Sequence, residues 1–241
     1  MDLSGISEKG KFAVVIPVYN HEGAVAEVVA KALRLNLPVF VVDDGSTDST
    51  REALSCLGGF QLLRHDDNRG KGAALLTGFA EASKIADWAI TMDADGQHQP
   101  EDAWNLAGAI PAGQRPIVVG MRAGMAADHV PWTSRFGRKF SNFWVFVSGG
   151  PRMRDSQSGF RIYPLPEAMN LGVVARRYQF EVEILVRAGW KGIPVVEAPV
   201  SVSYGVGGER ISHFRPFVDF MRNSGTFSRL IFRRVFSSLL R

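Results

Sequence analysis

Two acidic segments carry the chemistry of this chain: Val42-Asp43-Asp44-Gly45-Ser46-Thr47-Asp48 and Met92-Asp93-Ala94-Asp95-Gly96-Gln97-His98. In the second, carboxylates at alternating positions are followed by an amide. Oxygen donors of this kind suit a hard divalent cation, which can in turn hold a diphosphate. Asp93, Asp95 and Gln97 are therefore the candidate metal ligands, for Mg2+ or Mn2+. Plainer roles compete at each place. Asp43 and Asp44 could cap a helix beginning near Thr47, and Asp48 suits that task alone. Asp93 and Asp95 could form a turn with Gly96. His98 fits a metal ligand, a supporting contact or a residue at a helix start.

The flanking sequence decides in favour of a site. Each acidic segment follows an apolar run, Val39 to Val42 and Trp88 to Met92, that reads as a buried strand. Carboxylates at the carboxyl ends of parallel strands face the crevice where open α/β sheets bind ligands. Further strands are expected at Phe12 to Pro17, Phe60 to Arg64 and Pro116 to Met121, with helices at Ala24 to Leu35, Thr47 to Leu57 and Gly72 to Lys84. Pro100-Glu101-Asp102 reads as the first turn of another helix. Such alternation with short connections predicts an α/β fold with a mostly parallel sheet flanked by helices. The second half is less regular. A strand is expected within Gly159 to Tyr163, an amphipathic helix over Tyr178 to Ala188 and a strand within Ile193 to Val202. Phe214 to Leu240 reads as two amphipathic helices broken at Asn223-Ser224-Gly225.

The 241 residues carry 28 Lys and Arg against 24 Asp and Glu, and the excess is uneven. Arg210, Arg215, Arg222, Arg229, Arg233, Arg234 and Arg241 face only Glu209 and Asp219 in the C-terminal stretch. Large apolar residues are interleaved with these arginines, from Phe227 to Leu240. That pattern suits a helix lying on an anionic bilayer, with a docking helix or a dimer contact as the alternatives. No groove-reading motif accompanies it, so nucleic acid is not an expected partner. The single Cys56 excludes an internal disulfide and a cysteine-rich metal site. No secretory signal opens the chain and no apolar stretch has spanning length, so a cytoplasmic protein, peripheral on the cytoplasmic membrane face, is expected. Ser148 and Ser158 lack a histidine and acid context for nucleophilic catalysis. The sequence specifies no oligomeric state.

Seven motifs in order resemble glycosyltransferase family 2, and more narrowly its polyprenyl-phosphate sugar synthases, the group of the dolichyl-phosphate mannose synthases. They are Ile16 to Asn20, Val42 to Ser46, Asn68-Arg69-Gly70-Lys71-Gly72, Met92 to His98, Val119 to Arg122, Asp155 to Arg161, and Phe180 to Glu183. The resemblance implies a GT-A fold, Rossmann-like, over residues 1–210, with a basic amphipathic extension over 211–241. It also implies that Pro17, Tyr19, Val42 and Asp44 frame the nucleotide, that Asp93, Ala94 and Asp95 meet its diphosphate through the metal, and that Arg122 and Arg210 face that diphosphate. Departures are the shift of an acid to Glu22 and a Tyr204 where the family has an arginine.

The activity implied is metal-dependent, inverting transfer of a hexose from a UDP- or GDP-sugar to a lipid acceptor at a membrane surface, foremost polyprenyl phosphate. An acceptor phosphate is already anionic and needs no strong base, whereas a hydroxyl acceptor would need a carboxylate to take its proton. Asp155 is the first candidate for that task and Glu183 the second, although Glu183 could equally pair with Arg161. Transfer to a hydroxyl of a glycolipid stays open, as does a non-catalytic nucleotide-sugar-binding scaffold. Asn68 to Gly72 lacks the spacing of a Walker loop and reads as a structural turn whose glycines let the next helix pack closely.

Overall fold

The computed structural model describes residues 8–122, 132–201 and 216–239. Seven strands form one sheet: β1 (Phe12–Val18), β2 (Val39–Asp43), β3 (Gln61–Arg64), β4 (Trp88–Thr91), β5 (Ile117–Arg122), β6 (Arg161–Pro164) and β7 (Val195–Val200). Their spatial order is β3-β2-β1-β4-β6-β5-β7. The pairs β1/β2, β2/β3, β1/β4 and β5/β7 are parallel, whereas β6 runs antiparallel to both β4 and β5. The strand order reverses at β1, so the crevice beyond β1 and β4 is a topological switch point.

Alternation along the strands assigns the two faces. In β1, Phe12, Val14, Ile16 and Val18 join one apolar cluster, with α1 (Val25–Leu33), α2 (Thr50–Ser55) and α4 (Ala103–Gly108) packed on it. Ala13 and Val15 join the other, covered by α3 (Lys71–Ala82), α5 (Trp132–Val147), α6 (Phe180–Trp190) and α7 (Pro216–Leu239). Burial on both faces is why these strands are nearly continuous apolar runs.

The mostly parallel sheet is as expected, and the strand expected within Gly159 to Tyr163 is its antiparallel member, β6. One expectation is corrected. The C-terminal segment is one continuous helix through Asn223-Ser224-Gly225. Packing overrides the weak helix propensity there. Asn223 and Thr226 are buried, Phe227 and Leu230 enter the second core, and Trp144 stacks on Phe227. Among the described residues no helix is long and apolar enough to cross a membrane.

Candidate active site

The loops that follow β1 and β2 interlock. Asn20, with φ +53°, donates its N–H to Ser46 Oγ and accepts Thr47 N–H at 2.8 Å. Glu22 accepts Ser49 N–H, and Asp48 accepts Glu22 N–H and Thr50 N–H. Burial pushes the Asp48 carboxyl up, but the Thr50 side chain and these backbone donors outweigh it and hold it below its usual value. Asp48 thus organises this turn, and Glu22 is used within it.

Asp44 is buried at the end of β2 and points inward. It accepts from His65 Nδ1 at 2.7 Å, Arg69 N at 3.0 Å and Gly70 N at 2.7 Å. The next residue, Lys71, reaches the other acidic segment: its Nζ lies 2.5 Å from Asp93 Oδ1 and 2.6 Å from Glu181 Oε1. One tripeptide, Arg69-Gly70-Lys71, therefore ties the ends of β2 and β4 together across β1. Gly70 makes this possible with φ +97°, and a Cβ on it would lie 2.5 Å from the Arg176 carbonyl. The expected close packing by glycines is present. The role of Lys71 was missed in the sequence, because its partners lie far along the chain.

Burial pushes the Asp93 carboxyl up, but the Lys71 ammonium and the His98 ring beside it win and hold it far below the usual carboxylate range. For Lys71, burial favours the neutral amine, yet Asp93 and Glu181 raise it well above an ordinary lysine. Asp95 accepts Gln97 N–H at 3.0 Å through one oxygen. His98 Nε2 stands 3.8 Å from Asp93 Oδ2, and its buried Nδ1 has no hydrogen-bond partner. Gly159 lies directly against Asp93, where a Cβ would meet both carboxylate oxygens and Lys71 Nζ.

The donor set fits a hard cation. Asp93, Asp95 and the Gln97 amide can each present an oxygen, and a cationic Lys71 already sits on Asp93. Among the described residues no cluster of three or more acids, histidines or cysteines is arranged to hold a metal, so a cation here would need the Gln97 amide, water or a diphosphate to complete its coordination.

Arg122, at the end of β5, forms a two-pronged ion pair with Asp155: Nε to Oδ2 at 2.7 Å and Nη2 to Oδ1 at 2.8 Å. Asp155 is fully buried and its backbone is fixed by Glu197, which accepts Arg154 N–H and Asp155 N–H at 2.9 Å. Ser141 and Asn142 of α5 bond Ser156 on the same turn. The buried Arg161 completes the turn by donating to the carbonyls of Ser156, Ser158 and Glu181.

Several expectations change here. Asp155 does not fit a proton acceptor, because both its oxygens are committed to Arg122 and none of its surface is exposed. Glu183 does not fit one either. It is fully buried and accepts Val174 N–H, Ala175 N–H, Arg187 Nε and Arg229 Nη2, so its partners are Arg187 and Arg229, not Arg161. Pro17, Val42 and Ala94 are buried in the sheet and core, so their side chains offer a ligand almost no surface. Tyr19 is half-buried just beyond β1. Asp43, weighed as a helix cap in the sequence, accepts Ser46 N–H through Oδ1 and keeps a buried Oδ2 with no hydrogen-bond donor and with Arg64 Nε 3.7 Å away. Arg210 and Tyr204 lie outside the described residues.

The N-acetylglucosaminyltransferase of Methanococcus voltae that uses UDP-N-acetylglucosamine and dolichyl phosphate is 30% identical over 213 residues, covering 79% of this chain and 85% of its own. The polyprenol monophosphomannose synthase of Mycolicibacterium smegmatis is 29% identical, with 78% and 76% covered. In fold, the chain resembles glucosyl-3-phosphoglycerate synthase from Mycobacterium tuberculosis, solved with Mn2+, UDP and phosphoglyceric acid. The TM-score is 0.72 at 19% identity, covering 96% of this chain and 81% of that one. The family model described as glycosyl transferase family 2 matches residues 13–164, from the start of β1 through the end of β6. With the crevice it spans built from those same strands, the chain belongs to glycosyl transferase family 2 and is a glycosyltransferase of GT-A fold.

Proposed function

We propose that this enzyme transfers a hexose, with inversion, from a UDP- or GDP-sugar to a lipid acceptor at a membrane surface, most simply polyprenyl phosphate. The observation that carries the reading is the Arg69-Gly70-Lys71 bridge, which sets Asp44 and Asp93 around one crevice. Asp93, Asp95 and Gln97 would hold Mg2+ or Mn2+, and Tyr19, with the backbone at Pro17 and Val42, would border the nucleoside. A bound cation would neutralise the charge that develops on the departing diphosphate. Arg122, fixed by Asp155, adds a second positive charge whose orientation is set before substrate arrives. Arg210 is assigned to the same diphosphate.

The engaged side chains support this choice of acceptor. Asp155 and Glu183 are both engaged and buried, so neither is available to take a proton from a hydroxyl. A phosphate acceptor needs no such base. The two relatives named for dolichyl and polyprenol substrates support the same choice. Residues 1–210 are assigned to catalysis and 211–241 to a basic helical extension that rests on the cytoplasmic membrane face.

Transfer assays with UDP- and GDP-sugars should yield polyprenyl-phosphate-linked sugar of inverted anomeric configuration. Product formed only on a hydroxyl acceptor would overturn the lipid-phosphate assignment, and retention of configuration would overturn the direct displacement.

A further inference from the structure

The buried Glu183 carboxylate gathers donors from three separate segments. Val174 N–H, at 3.2 Å, and Ala175 N–H, at 2.9 Å, come from a stretch without regular structure that precedes α6. Arg187 Nε, at 2.7 Å, comes from the next turn of α6 itself. Arg229 Nη2, also at 2.7 Å, comes from α7. Arg187 already neutralises the charge, so the fold does not need a second guanidinium to bury this acid. Arg229 is half-exposed, and holding its long side chain in place costs rotamer entropy. What it adds is a tie between α7 and the irregular stretch.

That stretch in turn supports the bridge between the two acidic segments. The Arg176 carbonyl accepts Ala73 N–H at 3.0 Å, and Arg177 Nη1 donates to Asn68 Oδ1 at 3.3 Å. A Cβ on Gly72 would lie 3.0 Å from the carbonyl oxygens of Ala175 and Arg176, so the two backbones touch with no room between them. Close-packed contacts of this kind pass on small displacements instead of absorbing them. Movement at Ala175 and Arg176 therefore reaches Arg69-Gly70-Lys71, whose N–H groups hold Asp44 and whose ammonium holds Asp93.

We propose that Glu183 is a positioning residue through which α7 sets the shape of the crevice and its affinity for nucleotide. The proposal rests on the assignment of that crevice to a sugar nucleotide. The helix assigned to the membrane is thereby also a working part of the catalytic unit. Every link is a direct contact, so the coupling can be broken at its outer end without touching the crevice.

The test is hydrogen–deuterium exchange on the full chain without ligand, read in peptides covering residues 69–75 and 172–178. Arg229→Met keeps the side-chain bulk and removes the charge. It should speed exchange in both peptides about fivefold or more, as a charge-assisted bond from a half-exposed partner is lost. The same variant should weaken binding of UDP or GDP with Mn2+, measured by calorimetry, about fivefold. Arg229→Lys should recover most of both effects, and Arg233→Met, one turn further along α7, should produce neither. Unchanged exchange in the two peptides, or a rise shared equally by β1 and β4, overturns the proposal. So does wild-type nucleotide affinity in a variant whose two peptides have loosened. A wild type that binds neither nucleotide refutes the crevice assignment instead, and exchange alone then decides whether α7 holds the turn.

Discussion

Lys71 Nζ sits 2.5 Å from Asp93 Oδ1 while also contacting Glu181 at 2.6 Å, so the carboxylate assigned to the metal already carries a cation. A divalent ion on Asp93 repels that ammonium, and Glu181 provides the anion that keeps it neutralised nearby.

Lys71→Met leaves Asp93 and Glu181 facing each other without a counter-charge. The expected loss is about 2 kcal/mol, less than for a fully buried pair because Asp93 is partly exposed, or about 4–8 °C in Tm. Saturating Mn2+ should recover more of Tm in the variant than it adds to the wild type. Calorimetry with and without Mn2+ measures this, and an unaltered Tm would deny the bridge its role.

Chelation should abolish transfer, and Mn2+ or Mg2+ should restore it. Asp95→Asn should lower kcat/KM about 100-fold or more, as expected when metal binding is impaired. Full turnover in chelator would rule the cation out of the reaction.

Arg122→Gln should act on both stability and rate. It strands the buried Asp155 carboxylate at a cost of about 3 kcal/mol. It also removes the charge proposed to act on the diphosphate, which should slow transfer about 100-fold or more. Adding Asp155→Asn should restore the urea midpoint but not the rate. Recovery of both together would mean that Arg122 serves the fold alone.

Acid should erase the stability that Asp93 supplies. Its folded-state carboxyl is held below the unfolded value, so its contribution is complete above the ordinary carboxylate range, about pH 4, and fades as pH falls through the folded value. Urea midpoints of wild type and Asp93→Asn should differ most near neutrality and draw together below about pH 4. A gap independent of pH would contradict this.

The exposed ring pair Phe232 and Phe236, with centroids 4.1 Å apart, is available to enter a bilayer interface. Replacing both with Ser should weaken binding to anionic vesicles about tenfold or more while leaving the buried Phe227 and Leu230 in place. Equal flotation of variant and wild type would remove α7 from the membrane.

Much of this organisation was legible in the sequence because it is local. Apolar runs ending in acids located β2 and β4, and the Asp-x-Asp spacing marked the acidic turn that follows β4. Direction was not legible for β6, since an apolar run pairs equally well either way until its neighbours fix it. Nor was the continuity of α7, where the burial of Asn223, Thr226 and Phe227 against α5 and α6 outweighs a poor local propensity. The tasks of Asp155 and Glu183 depend on which arginines fold onto them, and spacing alone does not report that.

Gly159 has a consequence for tool-making. Any methyl at that position presses on the Asp93 carboxylate and the Lys71 ammonium, leaving every formal charge unaltered. Gly159→Ala is thus a route to a catalytically silent protein with an intact donor inventory, suited to trapping an unspent sugar nucleotide in the crevice for crystallography.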